Sequence, residues 1–447
     1  MRERADGRHA AADRFLFQIS NRLTGLQQLR RGVVDCARGT AEELPVLAYI
    51  AYPTSLTLQS ANALQTYTTL RELRLRRPDT LALIPRWGNE PSRFDDVGAL
   101  HLPRPAIGKL SRLYRSTLLY YLEHSAFAAM TAAVLASQAT PVAAVYVRQA
   151  IIAAWWAGVY GPKLGIPVIY EAHDLESRNP SRAKEPWATG LLHLIDRTAI
   201  GRSAAVASLT EDFRKLLGQI GWRDAADVAV IPDAYDERIF APYDRNASRA
   251  RLGLPTDGQL ISYAGMTFAH RWLDGLVDAV AALRRERPNL RLLLVGGRPA
   301  ERAALQQQAA GLGLRVSDRT SGDADVYMLE PRPQAQVVDC LAAADVLAIP
   351  DTVTDVTASP LKLFEYLALG TPLVLPEMAS LSEIVPQELA PRFVRRDLAG
   401  LTAALAEALA DDSASRRAAR IAAASVHTYG RRAERILALV ERVRHTG

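Results

Sequence analysis

From about residue 45 onward, short apolar runs alternate with stretches of helical periodicity. VLAYIAYP (46–53), TLALIPR (80–86), VAAVYV (142–147), IPVIYEA (166–172), AAVASL (204–209) and VAVIP (228–232) read as strands, and NALQTYTTLRELRLRR (62–77) reads as a helix between the first two. Apolar runs of this length, separated by helices of roughly 10–15 residues, build βαβ units on a parallel sheet. The pattern breaks near residue 240: FAPYDRNASRARLGLPTDG (240–258) is polar and rich in Pro and Gly, without a long apolar run. A second series then begins with QLISYAG (259–265), LRLLLVGG (290–297), DVYMLE (325–330), DVLAIP (345–350) and TPLVLP (371–376).

The fold expected is therefore α/β, with two doubly wound Rossmann-like domains facing across a cleft. Residues 1–44 form an added arm, 45–240 the first domain, 241–425 the second, and 426–447 a last helix with Ile436, Leu437, Val440 and Val443 turned inward. Ligands of such sheets bind outside the carboxyl ends of the strands, so the cleft is the expected site.

Charge refines this division. Among the 447 residues are 54 basic and 48 acidic ones, a net charge of +6. Residues 1–240 hold 29 basic and 24 acidic residues, whereas 241–447 hold 25 and 24, so the excess lies in the first domain. Only five residues are lysines, and Lys362 is the one beyond residue 240. Two cysteines, Cys36 and Cys340, cannot frame a small disulfide-rich fold or a four-ligand zinc site, and they suit a reducing cytoplasm. The charged N-terminus lacks the apolar core of a signal peptide. The uncharged stretch Ser125–Val147 is Ala-rich and broken by Pro141, which favours a buried helix and a strand over a membrane span.

Two basic amphipathic stretches, 14–31 (Phe15, Ile19, Leu23 and Leu26 at helical spacing) and 102–115 (Leu110, Leu113 and Tyr114 among Lys109, Arg112 and Arg115), suit either docking on their own domain or peripheral contact with anionic lipid at the inner face of the cell membrane. No basic stripe joins a nucleic-acid recognition motif, and no nucleic-acid partner is expected.

The stretch with most chemistry is ASPLKLFEYLALGTPLVLPEMASLSEIV (358–385). Ser359 fits a helix N-cap, Pro360 the first helical position and Gly370 a left-handed stop. A helix N-terminus offers free N–H groups and a positive dipole end, a ready phosphate site. Lys362 adds a charge in the first turn, and Glu365 follows on the same face, where a carboxylate can accept two hydrogen bonds from a ribose diol. A surface Lys–Glu pair on an ordinary helix accounts for the spacing equally well. Asp323-Ala324-Asp325 reads as a loop of solvated acids, and no His, Cys or carboxylate cluster has metal-ligand spacing, so metal-independent chemistry is expected. The glycines Gly296-Gly297 are not a dinucleotide fingerprint.

SPLKLFEYLALGTPLV resembles the donor motif of glycosyltransferase family 4, in a subgroup with a KLFEY helix; these are retaining enzymes of the GT-B fold. YAGMTFAHRWLDGLVDAV, LRLLLVGG, CLAAADVLAIP, YEAHDLE and VIPDAYDERIFAP resemble further family segments in the same order, over roughly residues 45–440. The resemblance implies a hexosyltransferase-like enzyme that moves a sugar from a nucleotide-diphosphate donor to an acceptor hydroxyl with retention, in the making of cell-surface polysaccharide, glycolipid or another glycoconjugate. The nucleotide sugar is then a co-substrate and no cofactor is expected. The acceptor would be a glycan, a lipid-linked molecule or a small molecule.

It further implies donor contacts by Gly265, Arg271 (six after that glycine), Ser359, Pro360, Leu361, Lys362 and Glu365. His173 would face the transferred sugar, with Asp174 orienting it and Arg148 as a further sugar contact. Two departures stand out. The family commonly has a glutamate eight before Glu365, where this chain has Thr357; Asp355 or Thr357 would take its place at the sugar. Met266 stands where many relatives carry arginine. These departures keep a second reading open, a catalytically silent GT-B scaffold or partner subunit that binds nucleotide or glycan.

Overall fold

The structure, a computed structural model, describes residues 45–446 except Gln59, Trp87, 105–116, 180–181, 183–184, 353–359 and Asp412. The first sheet contains β1 (Val46–Ile50), β2 (Leu81–Arg86), β3 (Leu100–Pro103), β4 (Val142–Val147), β5 (Val168–Ala172), β6 (Ala205–Ser208) and β7 (Val228–Val230). Its order is β3-β2-β1-β4-β5-β6-β7, and every pair is parallel. Helices α1 (Ala61–Arg76), α2 (Thr117–Ala136), α3 (Ala150–Trp155), α4 (Thr189–Arg202) and α5 (Glu211–Gln219) form the connections. Ser125–Val147 is thus the end of α2 followed by β4. Stretch 14–31 lies outside the described residues, as does most of 102–115, of which Leu102 and Pro103 belong to β3.

The second sheet repeats the plan with β8 (Leu260–Ala264), β9 (Arg291–Val295), β10 (Val316–Ser317), β11 (Val326–Leu329), β12 (Val346–Ala348), β13 (Leu373–Pro376) and β14 (Arg392–Phe393). The order β10-β11-β9-β8-β12-β13-β14 is again wholly parallel. Its helices are α6 (Arg245–Leu252), α7 (Leu273–Leu283), α8 (Pro299–Gly311), α9 (Gln334–Ala342), α10 (Leu361–Leu369), α11 (Leu398–Ala408) and α12 (Ala414–Ser425). The central strands β5, β8 and β9 are buried along their whole length, as strands covered on both faces must be.

Helix α13 (Tyr429–Thr446) packs on α1 of the first sheet, and Ala433, Ile436 and Val440 join the core beneath β1 and β4. The chain order reverses between β1 and β4 in one sheet and between β8 and β12 in the other. A crevice opens at such a switch point, at the carboxyl ends of the strands.

Candidate active site

In the second sheet, β8 ends at Gly265 (φ +143°) and β9 at Gly296 (φ +110°). A Cβ on Gly296 would lie 2.4 Å from the Gly265 carbonyl oxygen, so only glycine lets the two loops approach this closely. The chain then turns through Ala269–Arg271 into Trp272, whose φ of +52° is unusual for a bulky residue. Trp272 is held from two sides. Gly275 leaves room for the indole, since a Cβ there would sit 2.2 Å from it, and the ring lies 6.2 Å from that of Phe393. This clamp fixes the preceding Arg271. Its Nε and Nη1 are buried and find no hydrogen-bond partner among the described residues.

Lys362 reaches the same place from α10. Its Nζ donates to the Tyr263 hydroxyl at 2.9 Å and lies 4.3 Å from the centre of that ring. Burial, reinforced by Arg271, pushes the Lys362 ammonium down to about 7. Two cationic side chains thus share a partly desolvated corner at a helix N-terminus, an arrangement suited to a polyanion. Pro360 is extended (ψ 125°) and caps α10, so the helix starts at Leu361, one residue later than expected. Gly370 ends it in the left-handed conformation. Glu365 lies one turn beyond Lys362 and accepts from Gln334 Nε2 at 2.9 Å. Burial raises its carboxyl, while Gln334 and Lys362 lower it less strongly. Ser359, Thr357 and Asp355 lie outside the described residues.

Bound diphosphate would restore the Lys362 proton, so binding above pH 7 takes up a proton. Affinity for a nucleoside diphosphate should fall roughly ten- to a hundredfold between pH 7 and 9. Lys362→Arg, which stays charged, should flatten that decline. Calorimetric titrations across this range check it.

The first sheet places His173 directly after β5. Alternation along the strand puts Glu171 and His173 on one face and Asp174 on the other. Glu171 Oε1 lies 2.6 Å from His173 Nε2, whereas Asp174 Oδ1 accepts from the Leu175 amide at 2.8 Å. The expectation that Asp174 orients His173 is therefore corrected: Glu171 does so. With Nε2–H donating to the carboxylate, Nδ1 is left as an acceptor. Burial, followed by Arg148, holds the imidazole below its usual range, which favours the neutral ring.

Arg148 is also corrected. Its side chain is fully buried, donating to Glu171 Oε1 at 3.1 Å and to Gln65 and Thr66 of α1. It braces Glu171 and is not exposed to a sugar. Arg432 of α13 places Nη2 2.7 Å from Glu171 Oε1, a contact of charge at an angle too poor for a hydrogen bond, while its Nη1 donates to the Ile231 and Pro232 carbonyls. Tyr146 also donates to Glu171. Burial raises the Glu171 carboxyl, but Arg432 and Arg148 outweigh it and hold the group well below its usual range.

Tyr429, at the start of α13, feels Asp233 and Arg148 of the first sheet's cluster and also Glu365 of α10.

Of the two acids expected in solvent at 323–325, Asp323 is exposed and Asp325 is not. Asp325 is buried and takes Arg284 at 2.7 Å and Arg315 at 2.8 Å; the exposed Asp323 pairs with Arg315 at 2.6 Å. They lie at the amino end of β11, the end of the sheet opposite Lys362. Sequence reasoning missed Glu171, Arg432 and Gln334. It also missed Asp351, which is fully buried after β12 and paired with Arg395 (2.7 Å) and Arg396 (3.0 Å). The i, i+2 pairs Tyr146/Arg148 and Glu171/His173 were the available signal for the first cluster.

Two facing Rossmann-like halves, joined by a helix that returns to the first, make the GT-B fold. Superposition agrees: Anabaena HepE, solved in complex with UDP and glucose, matches 88% of this chain and 99% of its own with a TM-score of 0.65 at 16% identity. The α,α-trehalose 6-phosphate synthase of Burkholderia multivorans covers 90% and 97%, with a TM-score of 0.63 at 14% identity. Residues 258–411 match the family model described as Glycosyl transferases group 1. D-inositol 3-phosphate glycosyltransferases of Stackebrandtia nassauensis (31% identical over 244 residues, 52% of each chain) and Segniliparus rotundus (28% over 265 residues, 56% and 57%) are similar. The chain spans about half the length of these curated relatives.

Proposed function

We propose that the protein is a retaining GT-B glycosyltransferase that moves a hexose-like sugar from a nucleoside-diphosphate sugar to an acceptor hydroxyl, in glycolipid, polysaccharide or other glycoconjugate synthesis. The observation that carries this reading is the buried guanidinium edge of Arg271, partnerless among the described residues, beside Lys362 at the start of α10. Buried charged donors without partners are costly, and an anion in the crevice would satisfy them. HepE was solved with UDP, and the relatives named above are glycosyltransferases, which fits the same ligand class.

In the reaction the anomeric carbon–oxygen bond to the diphosphate breaks, and the diphosphate leaves with the electron pair. A bond forms from the acceptor oxygen to the anomeric carbon, and the acceptor's proton leaves to the diphosphate or to solvent. The developing negative charge falls on Arg271, Lys362 and the amide end of α10. Glu365 accepts from the ribose hydroxyls, and His173 Nδ1 accepts from a hydroxyl of the sugar. Because two side-chain cations and a helix dipole supply the counter-charge, turnover is expected to persist in excess EDTA.

The test is hydrolysis and transfer with UDP-, GDP-, ADP- and dTDP-sugars in EDTA, with the product's anomeric configuration read by NMR. One donor class should turn over with retention. Inversion or abolition by EDTA would contradict the mechanism, and donor binding without turnover on any acceptor would favour a silent scaffold.

A further inference from the structure

Beyond the crevice, the helices over one face of the first sheet carry a surface of unusual composition. Of the twelve large apolar side chains exposed among the described residues, six lie here: Leu122, Trp155, Val159, Trp187, Leu191 and Leu194. Trp187, in the turn Pro186–Ala188 that leads into α4, follows at helical spacing with Leu191 and Leu194 on α4 to form one outward stripe, while the other face of α4 buries Leu192, Asp196, Ala199 and Ile200. Trp155, at the end of α3, lies along α2 with its indole N–H donating to Ser125 Oγ at 2.8 Å, and it stacks on Tyr160. Beneath this surface Ile151 of α3, Leu192 of α4 and Tyr121 of α2 share one cluster, so the three helices form a continuous layer.

Charge separates this face from an ordinary surface. Among the described residues, the exposed charged ones on α2, α3, α4 and the turns beside them are Lys163, Arg178, Arg197 and Arg202. None is in an ion pair among the described residues, and the acids of these helices, Glu123 and Asp196, are buried. Exposed indoles and leucines with basic residues and no exposed acid match a layer that is apolar within and anionic at its surface. No helix of the described residues is long and apolar enough to cross a membrane, so contact would be from one side.

The face also adjoins the site. α3 begins two residues after Arg148, and the loop into α4 begins at His173. We propose that this surface docks the protein on an anionic lipid layer and that the acceptor is presented from that layer. The proposal rests on the glycosyltransferase reading for its acceptor, though not for its contact surface.

The experiment is flotation of the full chain with vesicles of phosphatidylcholine alone and of phosphatidylcholine mixed with phosphatidylglycerol. The wild type should float with the anionic vesicles and stay behind with the neutral ones. Trp187→Ser combined with Leu191→Ser and Leu194→Ser should lower the bound fraction roughly tenfold, and Arg197→Glu with Arg202→Glu should do the same independently. An unchanged thermal shift with nucleoside diphosphate shows that each variant is folded. A wild type that ignores anionic vesicles, or a folded variant that floats as well as the wild type, overturns the proposal. So does a wild-type dimer, seen by sedimentation without lipid, that the serine variant splits, since the face would then be a contact between copies. Loss of donor turnover with flotation intact would sink the enzyme reading and leave the surface standing.

Discussion

Lys362→Ala should reduce kcat/KM for the nucleotide sugar by about 10²–10³-fold, or roughly 3–4 kcal/mol of transition-state stabilisation. In the proposed reaction the ammonium sits where the leaving diphosphate gathers charge, and among the described residues its one hydrogen bond is to Tyr263. The fold should therefore survive. Melting curves without ligand should nearly overlay those of the wild type, because a partly desolvated cation has been removed and not a packed apolar group. Arg271→Ala should behave alike. The double variant should lose less than the product of the two single effects, since both cations meet one diphosphate. Steady-state kinetics on the three variants check this, and wild-type rates in Lys362→Ala would remove the site assignment.

Glu171→Gln should do more to stability than any change in the donor corner. Glu171 is the carboxylate between the fully buried guanidiniums of Arg148 and Arg432. Removing the charge from such a cluster typically costs about 3–5 kcal/mol, which should appear as a large fall in the melting temperature. A second effect follows on activity. The glutamine amide can donate to His173 Nε2 and so move the ring proton to Nδ1, turning the acceptor away from the crevice. At a temperature where circular dichroism shows the variant folded, kcat should fall while affinity for the nucleoside diphosphate stays unchanged, because the proposed diphosphate site belongs to the second sheet. Asp174→Asn should leave kcat near that of the wild type, as Asp174 bonds to the Leu175 amide and not to His173. If Asp174→Asn proved the more damaging change, the reading of this cluster would fail.

The long apolar runs were legible because a strand covered on both faces must be apolar throughout. Every central strand fell within a run read from sequence, to within three residues. The strands that escaped are β3, β10 and β14, where LHLP, VS and RF lie at the sheet edges or end segments and are only partly buried. Such strands need no apolar run. At the candidate site, the placing of Lys362, Glu365 and Arg271 was legible because they lie close in sequence to a helix start or a strand end. Glu171 was hidden inside an apolar run, and Arg432 lies 261 positions away on a helix that returns from the far end of the chain. Their meeting depends on the packing of α13 against the first sheet, which no local pattern encodes. Asp174 was misread because its adjacency to His173 suggested a contact that strand alternation denies, and Arg148, expected at the sugar from its place at the end of β4, is drawn inward to Glu171, Thr66 and Gln65.

The central claim is that a nucleoside diphosphate is held by Arg271 and Lys362 at the start of α10. Its most direct test is a thermal-shift titration of the wild type and of Lys362→Ala with UDP, GDP, ADP and dTDP. One of the four should stabilise the wild type by about 2.7 kcal/mol at a hundred times its Kd, and the shift should largely vanish in Lys362→Ala. A wild type indifferent to all four diphosphates, or a Lys362→Ala protein stabilised as strongly as the wild type, would contradict the account.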